Sequence, residues 1–354
     1  MRILYPTTLL CITFTLISCG SATYTPGEIS RNSILDPPKQ KTENEGFWQV
    51  DDSTTLYHFS QGDPDGTPVL LLHGGPAAPF SKPWPGLSEI DGYKFHYYHQ
   101  RGSGESTIPF ERFETNNFPQ NVKALDDRLG MARLIEDVEK IRRILDTEKI
   151  ILIGHSFGGF IATLYAIEFP ERVQKMILIE PADMLSFPPS HGGMEQIKEW
   201  LTDEQKAEYE AYMKEYFNYR NFFKKSESEL AELNSGYGKY YFQALENHFP
   251  GASSHPEEIE SRTKNGGFAG HAPFFSLGRK YDHRELLHSV RAPVLVLHGK
   301  MDLFGPETGL EYVEYLPNGV YNEMENSSHF PFYEEPEEFS RLIELFLNKP
   351  KQEQ

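Results

Sequence analysis

Ser156 stands in the run Gly154-His155-Ser156-Phe157-Gly158-Gly159, with an apolar stretch before it (149–153) and a helix-compatible stretch after it (160–169). A serine with glycines two positions away on either side, set between a strand and a helix, marks a turn that projects a nucleophilic hydroxyl. The turn is so sharp that side chains at those positions would clash. The helix that follows offers its positive end to developing negative charge. Serine alone is a poor nucleophile and needs a base oriented by an acid. In the architecture this turn marks, acid and then histidine follow in chain order. The acid candidate is Asp302, in His298-Gly299-Lys300-Met301-Asp302, just after the apolar run ending at Leu297. The histidine candidate is His329, in Asn326-Ser327-Ser328-His329-Phe330, ahead of a helical stretch at 336–347. Each follows a strand, which brings both to the carboxyl edge of the sheet, where open α/β sheets bind ligands. Ser156 would attack a carbonyl carbon, His329 would take its proton, and water would hydrolyse the acyl-enzyme. Glu180 and Asp183 follow another strand-like run (176–179) and are rival acids. His298 reads as packed at a strand end and His155 as held beside the serine.

A developing oxyanion needs two N–H donors. His73-Gly74-Gly75-Pro76 directly follows the apolar run 69–72, so Gly74 or Gly75 is expected to donate together with the N–H of Phe157. Gln100-Arg101-Gly102-Ser103-Gly104-Glu105-Ser106 reads as a loop bracing this one, with Arg101 as a hydrogen-bonding strut. No metal-ligand spacing appears, and the chemistry calls for no metal or organic cofactor.

The positioning elements follow from hydrophobic pattern. Runs at 69–72, 150–153, 176–179 and 294–297 are continuously apolar, as strands of a parallel sheet buried on both faces must be. Leu134, Val138, Ile141 and Leu145 fall at helical spacing, with Asp126 and Asp127 near the expected start of that helix. Alternating strands and helices predict an α/β fold: a mostly parallel central sheet with helices on both faces. From 185 to 290 the alternation gives way to charged and aromatic helical sequence, opened by a Thr202–Gln205 capping box. This predicts a helical cap inserted between two parts of the core, 46–184 and 291–354.

The chain's 354 residues, 38% hydrophobic with 25 phenylalanines, suffice for one large α/β domain with an insertion. A net charge of −18 without a basic run argues against a nucleic-acid partner. Residues 1–18 carry Arg2 and an apolar stretch at 9–17, too short for a membrane-spanning helix, which needs roughly 20 apolar residues. The ending Leu16-Ile17-Ser18-Cys19 resembles the lipobox of bacterial lipoproteins. That resemblance implies cleavage before Cys19, lipid attachment there and a cell-envelope location; Gly20 after the cysteine leans toward the outer membrane. The polar, proline-containing stretch 19–45 is expected to be a flexible tether.

Taken together, His-Gly-Gly-Pro, Gln-Arg-Gly-Ser-Gly, Gly-x-Ser-x-Gly, an Asp after the penultimate strand and a late Ser-His resemble the proline iminopeptidase branch of the α/β-hydrolases. The resemblance covers roughly 46–181 and 292–347. It implies Ser156, Asp302 and His329 as the triad, and Gly74, Gly75 and Phe157 as the oxyanion region. It also implies release of N-terminal residues from short peptides or small amides, with the substrate's ammonium held by cap glutamates; Glu204, Glu232 and Glu246 are candidates. The chain departs from that branch at His99, where an Asp is usual before Gln-Arg-Gly, and at Ala77, where a Gly is usual. His155 and Phe157 give its elbow the esterase and lipase pattern. A carboxylesterase therefore remains an alternative, and a surface lipoprotein that only binds is a third.

Overall fold

The computed structural model describes residues 22–29, 46–252 and 265–349. The apolar runs become strands with side chains alternating between two buried faces. In chain order these are β1 (Phe47–Asp51), β2 (Thr54–Gly62), β3 (Thr67–Leu72), β4 (Tyr93–Tyr98), β5 (Ile150–His155) and β6 (Val173–Ile179). A short pair in the cap, β7 (Ser186–Phe187) and β8 (Tyr281–Asp282), precedes β9 (Val294–Gly299) and β10 (Gly319–Met324). Among the described residues the main sheet runs β1-β2-β4-β3-β5-β6-β9-β10. It is parallel from β4 to β10, and antiparallel only where β1 pairs with β2 and β2 with β4. This is an α/β-hydrolase architecture.

Helices α1 (Phe118–Leu129), α2 (Met131–Ile144) and α3 (Phe157–Glu168) precede the cap. The cap comprises α4 (Asp203–Tyr216), α5 (Tyr219–Phe222), α6 (Glu227–Ser235), α7 (Tyr237–His248) and α8 (Ala272–Leu277). Then come α9 (Pro306–Tyr315), α10 (Pro331–Glu334) and α11 (Pro336–Asn348). One sheet face (Leu70, Leu152, Met176, Leu178, Val296) packs on Ile135, Val138 and Ile141 of α2 and on Ile161 and Tyr165 of α3. The opposite face (Leu71, Ile153, Ile177, Leu295) packs on Phe339, Ile343 and Phe346 of α11. Both faces are covered, which is why the runs 69–72, 150–153, 176–179 and 294–297 are apolar without interruption.

The insertion leaves and re-enters the core at one place, because β7 and β8 pair antiparallel, Ser186 opposite Asp282 and Phe187 opposite Tyr281. The capping box expected before α4 is formed: Gln205 N–H donates to Thr202 Oγ1 (3.3 Å) and Thr202 N–H to Gln205 Oε1 (2.9 Å).

Two expectations need correction. Asp126 and Asp127 belong to the last turn of α1, not to the start of the helix carrying Leu134. Gly130, at ψ 167°, breaks the chain into two helices, and Asp126 accepts a hydrogen bond from Ser276 of α8 (2.5 Å). The stretch expected to be a structureless tether is docked at 22–29. Tyr24 and Ile29 are buried there, Tyr24 Oη donates to Glu168 (3.0 Å), and the Thr23 N–H donates to the Ser276 carbonyl (2.9 Å). Two apolar anchors in a polar stretch outweigh its average composition. Cys19, the signal segment and the remainder of the tether lie outside the described residues.

Candidate active site

Between β5 and α3 the chain reverses at Ser156 with φ 53° and ψ −119°, a backbone state costly for any residue but glycine. It is held by the Ser156 N–H on the Ile179 carbonyl (2.9 Å), while the Ser156 carbonyl accepts from Gly159 (2.9 Å) and Ala182 (3.2 Å). The flanking glycines are required by contact. A Cβ on Gly154 would run into the Gly158 carbonyl, and one on Gly158 into the Leu72 carbonyl of β3. The serine hydroxyl is thus carried to the floor of a cavity of about 810 Å³, whose wall also includes Gly74, Gly75, Phe157 and His329.

His329 and Asp302 meet as their sequence positions suggest. His329 Nδ1 lies 2.8 Å from Asp302 Oδ2, both groups being buried. The Phe304 N–H (3.2 Å) and the Tyr241 hydroxyl (3.0 Å) donate to Asp302 Oδ1. Burial acts to raise the Asp302 carboxyl. The opposing charge and hydrogen bond of His329, with smaller contributions from His298 and Glu180, outweigh it and hold Asp302 well below the usual carboxylate range. Nδ1 of His329 faces the carboxylate, so Nε2 is the nitrogen available for proton transfer. His155 Nε2 contacts the His329 carbonyl (2.8 Å), tying the elbow to the histidine loop.

The 73–76 loop passes directly over the serine. A Cβ on Gly74 would come within 3.0 Å of Ser156 Cβ, and Gly75 has φ +118°, where a side chain would be strained. Phe157 opens α3, so its N–H has no acceptor within the helix. The loop is braced from behind. The Gln100 N–H donates to His73 Nε2 (3.0 Å) and the Gln100 side-chain amide to the His73 carbonyl (2.9 Å). That leaves the His73 Nδ1–H for the Gly74 carbonyl (3.0 Å); burial keeps the ring neutral, its pKa lowered to about 3. Arg101 is the expected strut: Nε and Nη2 grip both oxygens of Asp137 (2.7 and 2.6 Å), and Nη1 donates to the Arg128 carbonyl (2.8 Å). His99, at the branch's usual Asp position, contacts the Phe80 carbonyl through Nε2 (2.9 Å) and accepts from the Glu105 N–H through Nδ1 (3.0 Å).

The cap glutamates are not where sequence reasoning put them. Glu204, Glu232 and Glu246 are exposed and absent from the cavity wall; Glu246 accepts instead from the Gly251 N–H. Helix periodicity turns these residues to solvent, and their charge could not have told a ligand from a solubilising group. The cap contributes aromatic residues to the wall, among them Tyr216, Phe217 and Phe274. Of the rival acids, Asp183 reaches the wall but is occupied by the N–H groups of Ser190, His191 and Gly193 (3.2, 2.9 and 3.1 Å). Glu180 is buried behind Asp302. Two wall residues had no usable signal in sequence. Tyr241 is one tyrosine in an aromatic-rich helix, and Thr23 lies in a stretch read as tether.

The chain matches the alpha/beta hydrolase fold family over residues 67–336 and belongs to it. It is 26% identical over 309 residues to a proline iminopeptidase of Heyndrickxia coagulans, covering 86% of this chain and 98% of that one. Among solved structures it resembles a proline iminopeptidase of Mycobacterium smegmatis (TM-score 0.57, 18% identity, 84% of this chain and 96% of that one). It also resembles a thermophilic esterase of Thermogutta terrifontis (TM-score 0.55, 21% identity, 84% and 94%). Both structural likenesses speak to fold alone. The protein is a hydrolase.

Proposed function

We propose that the protein is a serine hydrolase working through an acyl-enzyme, with a proline iminopeptidase-like activity that releases N-terminal residues from short peptides or small amides. Ser156 Oγ attacks the carbonyl carbon while His329 Nε2 takes its proton and Asp302 holds the imidazolium. The carbonyl oxygen becomes an oxyanion facing the N–H of Phe157 and of Gly74 or Gly75. His329 then protonates the leaving amine, and water, deprotonated by the same histidine, releases the acid. The observation that carries this is the 2.8 Å His329–Asp302 pair on the cavity that holds Ser156. The iminopeptidase relatives favour the amide substrate.

One observation favours carboxylesterase activity instead. The expected glutamates face solvent, so the charge that would hold a substrate ammonium is not supplied by Glu204, Glu232 or Glu246; the cap wall is rich in aromatic residues, and the cap carboxylate on it is Glu195. A prolyl arylamide, its N-acetylated form and p-nitrophenyl butyrate separate the two. Amine recognition predicts that acetylation removes most of the rate. Equal rates on both amides, or turnover of the butyrate alone, would assign the esterase.

We further propose that Cys19 carries a lipid that holds the enzyme in the cell envelope, at the outer membrane. Support comes from the lipobox-like sequence alone. Cys19 precedes Thr23 of the cavity wall by four residues, a span of at most about 14 Å, so the anchor would stand near the cavity. Cys19→Ala is expected to move the protein to the soluble fraction with unchanged turnover of soluble substrates; fatty-acid labelling that persists in the variant would overturn the assignment.

A further inference from the structure

Asp302 does not end the chain of polar groups behind Ser156. Glu180 follows the last residue of β6, at φ 45°, and is buried with Asp302 and His298. One polar side-chain atom from each of the three lies within 4.8 Å of the other two. Its Oε1 accepts the N–H of Gly299, at the end of β9, and its own N–H donates to the Leu297 carbonyl (3.0 Å). Glu180 thereby fastens the end of β6 to the end of β9, from which the acid loop departs. Its Oε2 accepts no hydrogen bond among the described residues, and a carboxyl oxygen of Glu180 lies within 4.8 Å of one of Asp302.

Two carboxyls this close inside a desolvated site are not both ionised. One must hold a proton, and His329 decides which. The imidazole on Asp302 Oδ2 favours charge on Asp302, whereas burial disfavours the charged form of His298, the imidazole beside Glu180. His298 Nδ1 is 2.8 Å from Glu180 Oε2, yet the two do not form a hydrogen bond. The charged Asp302 is then the stronger acceptor for the Glu180 proton. Burial, followed by the charge of Asp302, pushes the Glu180 carboxyl well above its ordinary range.

We propose that Glu180 is a positioning residue: a protonated carboxyl that donates a hydrogen bond to Asp302 and so fixes the acid's orientation toward His329 and moderates its basicity. This rests on the triad assignment above. It differs from Glu180 serving as the acid itself, because the group works neutral and does not touch the histidine. The other titratable groups facing this pair are Tyr241, which donates to Asp302, Tyr237 and Tyr321 at longer range, and Glu334 of α10, which adds negative charge.

The test compares Glu180→Gln and Glu180→Leu with wild type in the full chain. Glutamine keeps a neutral donor, so kcat/KM is expected within about threefold of wild type. Leucine removes the donor, and kcat/KM should fall about 10- to 100-fold, the worth of one hydrogen bond to a charged group. The acid limb of its pH profile, which reports the catalytic base, should also move to higher pH. An Asp302 freed of its donor holds the His329 imidazolium more tightly, whereas a purely structural defect would leave the limb in place.

Thermal unfolding supplies a readout that needs no turnover. A carboxyl whose folded pKa is raised contributes stability below its unfolded pKa that is lost as pH rises toward the folded value. Glu180→Gln removes that loss, so its Tm should gain on wild type steadily from pH 4 to pH 8. A constant Tm difference, an unmoved acid limb in a folded Leu variant, or a Gln variant as inactive as Leu would overturn the proposal. Failure of the triad itself would show separately, as Ser156→Ala or His329→Ala retaining activity.

Discussion

The carboxyl edge of the sheet and the cap enclose the same cavity with opposite materials. At the edge, polar groups are tied to one another: Ser156 by its backbone, His329 to Asp302, His73 to Gln100, Arg101 to Asp137. In the cap the wall is rich in aromatic rings packed on rings, such as Tyr216 against Phe217 (5.0 Å) and Phe217 against Phe274 (6.4 Å), with polar residues such as Glu195 and Asn234 between them. Hydrogen-bonded geometry is unforgiving, since a donor misplaced by an ångström is lost. Ring packing can readjust. The edge therefore sets whether the reaction runs, and the cap sets what it runs on. Among the contacts that join the two regions, the Tyr241 hydroxyl on Asp302 reaches the triad itself.

Substitutions should follow that division. The largest effect is expected for Asp302→Asn, which preserves shape but misorients the histidine and should lower kcat by about 10⁴. Steady-state kinetics on a responsive substrate checks this, and a near-normal rate would break the distinction at its centre. Next is Arg101→Met, which leaves Asp137 buried without its partner. It should cost about 3–5 kcal/mol of stability by denaturant unfolding; a loss of activity with unchanged stability would instead make Arg101 part of the chemistry. Tyr241→Phe removes a single donor to Asp302 and should lower kcat about tenfold with KM little changed. If KM alone moved, the tyrosine would belong to the cap's function and not to the edge's. Smallest is Phe217→Ala, which should leave kcat on the best substrate near wild type. It should shift preference toward bulkier substrates by about fourfold per added methylene, the ~0.8 kcal/mol worth of one buried CH₂.

The same division explains what could be read in the sequence. The edge was legible because steric necessity writes it into residue types. Only glycine fits at 154 and 158 beside the strand and carbonyls that close on them, and burial on both faces makes the centre of each inner strand an apolar run. Chain order then carried the reasoning from Ser156 to Asp302 and His329. The cap was legible in outline only. Its helices and the Thr202–Gln205 box have local signatures, but which face a helix turns to the cavity depends on packing across the molecule. Glu204, Glu232 and Glu246 face water for that reason. Thr23 and Tyr24 were missed because docking two short segments leaves no periodic trace. Glu180 was weighed only as a rival acid, since its value as a neutral donor depends on a neighbour 122 positions away in sequence.

The most direct test of the account is to label the full chain with a fluorophosphonate and map the adduct by mass spectrometry. A single adduct on Ser156 is expected, absent from Ser156→Ala and formed far more slowly in His329→Ala. An adduct on another residue, or labelling that survives Ser156→Ala, would contradict the assignment of this serine as the nucleophile.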